Sequence, residues 1–205
     1  MSDIPQGARR YFTPANALTF SRLILMPIAI FGLVTNHGWL VAFAIFAAWF
    51  TDLIDGRVAR RMGTPPTPFG KALDSTVDFA TLYCLFIAFY AAGRISHSQF
   101  AVLYLSMLTI ITLQMFLAGS GRSEETASTP MSKLSGAFQY LYLLFLGALE
   151  ILPHSSALYV IHTIYFLLLT VAVVGNTVYC VEAIRGIVEE SGPADQDPAS
   201  KPGGE

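Results

Sequence analysis

At 205 residues, with 54% hydrophobic and only 13% charged residues, the chain is one domain's worth of sequence with the composition of a membrane protein. That composition excludes an ordinary soluble enzyme, and no nucleic-acid partner is expected. The formal net charge of −2 says little in itself; where the charges stand says more.

Residues 1–13 are polar and carry Arg9, Arg10, Tyr11 and Phe12, which suits a short interfacial segment at headgroup depth. No small-residue cleavage pattern follows, so no cleavable signal is expected. Six apolar stretches come next: 16–34 with a kink expected at Pro27, 39–60, 70–92, 100–118, 134–152 and 158–182. Each holds close to the ~20 residues that cross ~30 Å of hydrocarbon. Residues 187–205 are polar and rich in Pro and Gly, and read as a disordered tail. The expectation is therefore an all-α, polytopic membrane protein of six transmembrane helices, with one membrane domain over 1–186.

Lys and Arg placement orients it. Of the twelve, only Arg94 falls on one side; the other eleven lie with the termini, the 61–69 loop and the 119–133 loop. The positive-inside rule then makes both termini cytoplasmic, in the plasma membrane, or in the inner membrane if the protein is bacterial. Cys84 and Cys180 sit in apolar runs without a metal-ligand pattern and read as packing residues. His37, His97 and His154 map to the outer loops. His162, Gln114, Glu150 and Asn176 are isolated polar groups in or near spans, suited to interhelical hydrogen bonds.

The chemistry concentrates between residues 52 and 78. Asp52 and Asp55 are three apart and Asp74 and Asp78 four apart, so on helices each pair projects from one face. A charge in hydrocarbon costs at least ~2.5 kcal/mol on insertion scales, so intramembrane acids mark function. Four facing acids need a counter-charge. Carboxylate oxygens are what hard divalent cations prefer, and phosphate-bearing substrates commonly bind through such cations. Gly56, Ala59 and Gly70 on the same faces leave room for a ligand near the backbone, and Arg60, two turns beyond Asp52, can fork onto a phosphate.

Asp52-x2-Asp55-Gly56-x2-Ala59-Arg60 followed by Gly70-x3-Asp74-x3-Asp78 resembles the signature of the CDP-alcohol phosphotransferase family at eight positions. One departure stands out: nine residues, 61–69, separate Arg60 from Gly70 where the family usually has eight. The extra residue falls in a Pro-rich turn. The resemblance implies transfer of a phosphatidyl group from CDP-diacylglycerol to an alcohol with release of CMP, using two Mg2+ or Mn2+ ions, in a homodimer. It implies metal ligation by Asp52, Asp55, Asp74 and Asp78, with Asp78 also the base for the attacking hydroxyl. Gly56, Ala59, Arg60 and Gly70 would hold the nucleotide, and by the same likeness Asn16, Thr19 and Thr67 would line the cytidine pocket. Arg122 and Lys133 serve either as positive-inside charges or as ligands for an acceptor's phosphate. Lys133 to Gln139 partly resembles the KxKTxxQ segment of phosphatidylglycerophosphate and cardiolipin synthases: the first Lys and the Gln match, while Ser135 and Gly136 replace the second Lys and the Thr. The acceptor stays open between glycerol-3-phosphate and phosphatidylglycerol. Two other classes use intramembrane acids. Prenyltransferases resemble longer bundles and lack the Gly-x2-Ala-Arg continuation. A divalent-cation carrier needs access from both faces, whereas all four acids here crowd one.

Overall fold

The computed structural model describes residues 14–61, 68–119, 130–153 and 155–190, and among them only helices occur. In chain order these are α1 (Pro14–Val34), α2 (Gly38–Arg61), α3 (Pro68–Ala91), α4 (His97–Gly119), α5 (Pro130–Leu149) and α6 (Ser156–Glu190). Three of them start on proline, whose missing N–H costs nothing in a first turn. Pro27 sits inside α1.

The turns between helices are closed by local chemistry. After α1, Asn36 takes a left-handed conformation at φ 55°, the N–H of Asn36 donates to Leu33 O and that of His37 to Gly32 O. After α3, Gly93 does the same at φ 71°, with Gly93 N–H donating to Tyr90 O and Arg94 N–H to Phe89 O. Both are Schellman closures, which satisfy the last carbonyls of a helix. Ser96 and Gln99 form a capping box at the start of α4: the Ser96 N–H donates to Gln99 Oε1 at 2.6 Å and the Gln99 N–H to Ser96 Oγ at 3.3 Å. Ser155 Oγ caps α6 by accepting from Leu158 N–H.

α1 lies against α2 and α3, α2 also against α5, and α6 against α4 and α5. The centre is filled by Val41, Ala44 and Ile45 of α2, Leu85, Phe86 and Phe89 of α3, and Tyr142, Leu143 and Leu146 of α5. Small residues let the backbones close up, as membrane helices require. A Cβ on Gly38 would meet the Glu150 carbonyl oxygen at 2.1 Å, and one on Gly147 would meet the Ile45 side chain at 3.2 Å. Large apolar side chains such as Ile24, Phe31, Phe43, Leu167 and Val171 point outward, a surface suited to lipid rather than water. Inside, Gln139 ties three helices: it accepts from Tyr83 OH of α3 and donates to Ser106 Oγ of α4 and to Ser135 Oγ one turn earlier.

Among the described residues, three helices contain stretches long and apolar enough to cross a membrane: 17–34, 73–91 and 156–186. α2, α4 and α5 hold shorter apolar stretches, 38–54, 97–113 and 133–149. α6 stays helical to Glu190, four residues into the stretch expected as tail.

Candidate active site

The acids of the two sequence pairs come from different helices, and the structure brings them to one place. Asp52 lies toward the C-terminal end of α2, Asp74 and Asp78 on the first turns of α3. One carboxylate oxygen from each of the three lies within 4.8 Å of the others. That is on the scale of twice the ~2.0–2.1 Å distance at which Mg2+ holds an oxygen.

Arg22 of α1 stands beneath them. Its Nη2 donates to Asp74 Oδ1 at 2.6 Å, and its Nη1 to Asp52 Oδ1 at 3.1 Å and also to Asp78 Oδ1. The Arg22 side chain is 1% exposed, while those of Asp52, Asp74 and Asp78 are 36, 43 and 28% exposed. The guanidinium is thus the floor and the carboxylates are the open rim. A planar fork suits this task better than an ammonium, because it reaches several carboxylates at fixed angles.

The donor set fits a hard divalent cation. All three groups offer oxygen, they converge from two helices, and among the described side chains one guanidinium stands against their three negative charges. Two charges are what one divalent cation brings.

Of the other residues expected in the site, Gly70 is half-buried at the start of α3, four residues before Asp74. Thr19 is buried three residues before Arg22 on the same side of α1. Lys133 is exposed on the first turn of α5. Asp55, Gly56, Ala59 and Arg60 follow Asp52 on α2, and Asn16 lies in the first turn of α1, but their side chains lie outside the described set, as do Thr67 and Arg122 altogether. Gln139, which matches the last position of the synthase-like segment, is fully buried in the three-helix network. Asn176 is buried inside the bundle, and His162, half-buried, stands 2.9 Å from Tyr142 OH. Glu150 instead forms an ion pair with Arg94 at 3.1 Å.

Arg22 is the site residue the sequence reading missed. It counts there only as one more charge on the inner side. The signal was available: Arg22 is the sole charged residue of α1, and facing acids demand a cation.

Comparison with known proteins bears on the chain's family. The family model described as CDP-alcohol phosphatidyltransferase matches residues 12–180. Over 185 residues, 83% of the chain, it is 28% identical to a cardiolipin synthase (CMP-forming) / mitochondrial hydrolase fusion protein of Schizosaccharomyces pombe. Over 133 residues, 65% of the chain, it is 27% identical to a probable cardiolipin synthase (CMP-forming) of Drosophila melanogaster. These matches span 31% and 39% of the relatives' own lengths. No solved structure matches.

Proposed function

The chain belongs to the CDP-alcohol phosphatidyltransferase family, and from that premise we propose that it moves a phosphatidyl group from CDP-diacylglycerol to a lipid alcohol, releasing CMP. The observation that carries this is the convergence of Asp52, Asp74 and Asp78 oxygens from two helices onto one open rim.

Asp52, Asp55, Asp74 and Asp78 are the residues that hold two divalent cations, Mg2+ or Mn2+. When bound, such ions neutralise the pyrophosphate and polarise it as Lewis acids. Arg22 keeps the carboxylates together and oriented from below. Gly56, Ala59 and Gly70 admit the nucleotide close to the helix backbones, with Asn16, Thr19 and Thr67 around the cytidine and Arg60 forking onto a phosphate. Asp78 takes the proton of the acceptor hydroxyl. The hydroxyl oxygen bonds to the phosphorus that bears diacylglycerol, the bond from that phosphorus to the bridging oxygen breaks, and CMP leaves with that oxygen.

The acceptor is phosphatidylglycerol. Two relatives carry the name of CMP-forming cardiolipin synthases. In the 133–139 segment Ser135 and Gln139 are consumed by packing, leaving Lys133 as its one cation. A single exposed lysine, with Arg122, suits a phosphodiester acceptor better than the dianion of glycerol-3-phosphate.

The bundle crosses the membrane six times, with both termini and the acid rim at the cytoplasmic face. Eleven of twelve cationic residues on that side support this, as does the outward apolar surface. Residues 1–186 form one membrane domain, followed by a polar tail.

The test is CMP release in detergent from CDP-diacylglycerol, with phosphatidylglycerol or glycerol-3-phosphate offered in turn. Mg2+- or Mn2+-dependent CMP release with cardiolipin as product, abolished by chelator, is the expected result. Turnover with glycerol-3-phosphate alone would reassign the acceptor, and no CMP release with either would remove the phosphatidyltransferase reading.

A further inference from the structure

A second polar site lies at the opposite end of the bundle. From Asp78 to the end of α3 at Ala91 is thirteen residues, ~20 Å of helix. Just beyond stands a partly open cavity of about 560 Å³ between the α1–α2 turn, the end of α3, the end of α5 and the start of α6. That volume lies within the range of ligand sites.

Its lining is of two kinds: Phe89, Leu149, Leu152, Leu158 and Tyr159 are apolar, while Asn36, Arg94, Glu150 and His162 are polar. Arg94 Nε meets Glu150 Oε1 at 3.1 Å and its Nη2 donates to Asn36 Oδ1 at 2.9 Å. The pair is held in place by the backbone: Arg94 follows the left-handed Gly93, and Gly38 packs without clearance on the Glu150 carbonyl. A guanidinium and a carboxylate side by side make a fixed dipole on a cavity wall whose charge sums to zero. A purely anionic headgroup would meet Glu150, and a purely cationic one Arg94. A headgroup carrying a phosphate and an ammonium matches both.

We propose that this cavity binds a zwitterionic phospholipid of the leaflet opposite the acid rim. Its phosphate sits on Arg94, its ammonium on Glu150, and its first methylenes lie against Phe89, Leu158 and Tyr159. The inference rests on the membrane-spanning part of the proposed function and not on its chemistry.

Lipid binding to the full chain in detergent, measured by native mass spectrometry, tests it with two probes: phosphatidylethanolamine, and phosphatidylmethanol, which keeps the phosphodiester but has no ammonium. Phosphatidylethanolamine should bind about tenfold more tightly than phosphatidylmethanol. Ser156→Trp, which fills the cavity, should abolish that binding, and Glu150→Gln should bring the two lipids level. CMP release should be unchanged in Ser156→Trp. Equal binding of the two lipids to the unmodified chain would overturn the proposal, as would phosphatidylethanolamine binding undiminished in Ser156→Trp or a preference retained in Glu150→Gln. Lipid preference without CMP release would sink the proposed chemistry and leave this site standing.

Discussion

Arg22 and Asp78 touch, yet they hold different parts of the work, and substitution can separate them. Removing the buried partner of an ion pair leaves charges uncompensated, at a cost that solvent lowers where, as here, the carboxylates are partly exposed. For Arg22→Ala the stranded charges are three carboxylates, and a divalent cation can do for them what the guanidinium did. The thermal midpoint of Arg22→Ala should therefore fall far below that of the unmodified chain in chelator, and much of the gap should close in Mg2+. A gap of the same size in both conditions would show that Arg22 only packs. Asp78→Asn keeps the shape and removes the proton acceptor. CMP release should fall by about 10²- to 10⁴-fold, the usual worth of a positioned base, while CDP-diacylglycerol still binds. Turnover close to that of the unmodified chain would take the base role from Asp78.

Helix contacts decide what a glycine is for. Gly38 opens α2 with its backbone on the Glu150 carbonyl, where a methyl has nowhere to go, whereas a Cβ on Gly136 of α5 meets nothing within 4 Å. Gly38→Ala should lower stability by about 1–3 kcal/mol through overpacking, and Gly136→Ala should be neutral or slightly stabilising. Melting curves of the two variants, read side by side, check the contrast. The helices themselves were legible in sequence. The first apolar stretch, read as 16–34, is Pro14–Val34, and the two Asp pairs fell on separate helices as their spacing required. Which helix lies against which was not legible. In a membrane protein the buried and the lipid-facing sides are both apolar, so hydropathy does not tell Ala29 and Val41, fully buried, from Ile24 and Phe43, turned outward. The same blindness hid Arg22 as the floor of the site and the pairing of Glu150 with Arg94, since each depends on neighbours thirty or more residues away.

At the scale of the whole molecule, α6 reports how the bundle sits in the bilayer. Its 35 residues make ~52 Å of helix, well beyond ~30 Å of hydrocarbon. Its start at Ser156 shares the cavity end with Arg94, and its last turns carry Glu182, Arg185 and Glu189, all exposed, with Arg185 paired to Glu189 at 2.8 Å. The excess length therefore emerges at the end of the bundle that holds the acids. With six crossings, residues on the α3–α4 turn and residues at the end of α6 must face opposite compartments. In a background with Cys84 and Cys180 replaced, Ser98→Cys on the exposed start of α4 should react with a membrane-impermeant maleimide in intact spheroplasts of expressing bacteria. Glu189→Cys should react only after lysis, because the positive-inside bias holds that end in the cytoplasm. Labelling of both from one side would mean an even number of crossings between them, where six spans require three, and the reverse pattern would place the acid rim outside. Labelling of Glu189→Cys in intact spheroplasts would separate the site from a cytoplasmic route for CMP, whereas the expected pattern puts the open carboxylates where a soluble nucleotide can leave and leaves the Arg94 cavity to lipids of the far leaflet.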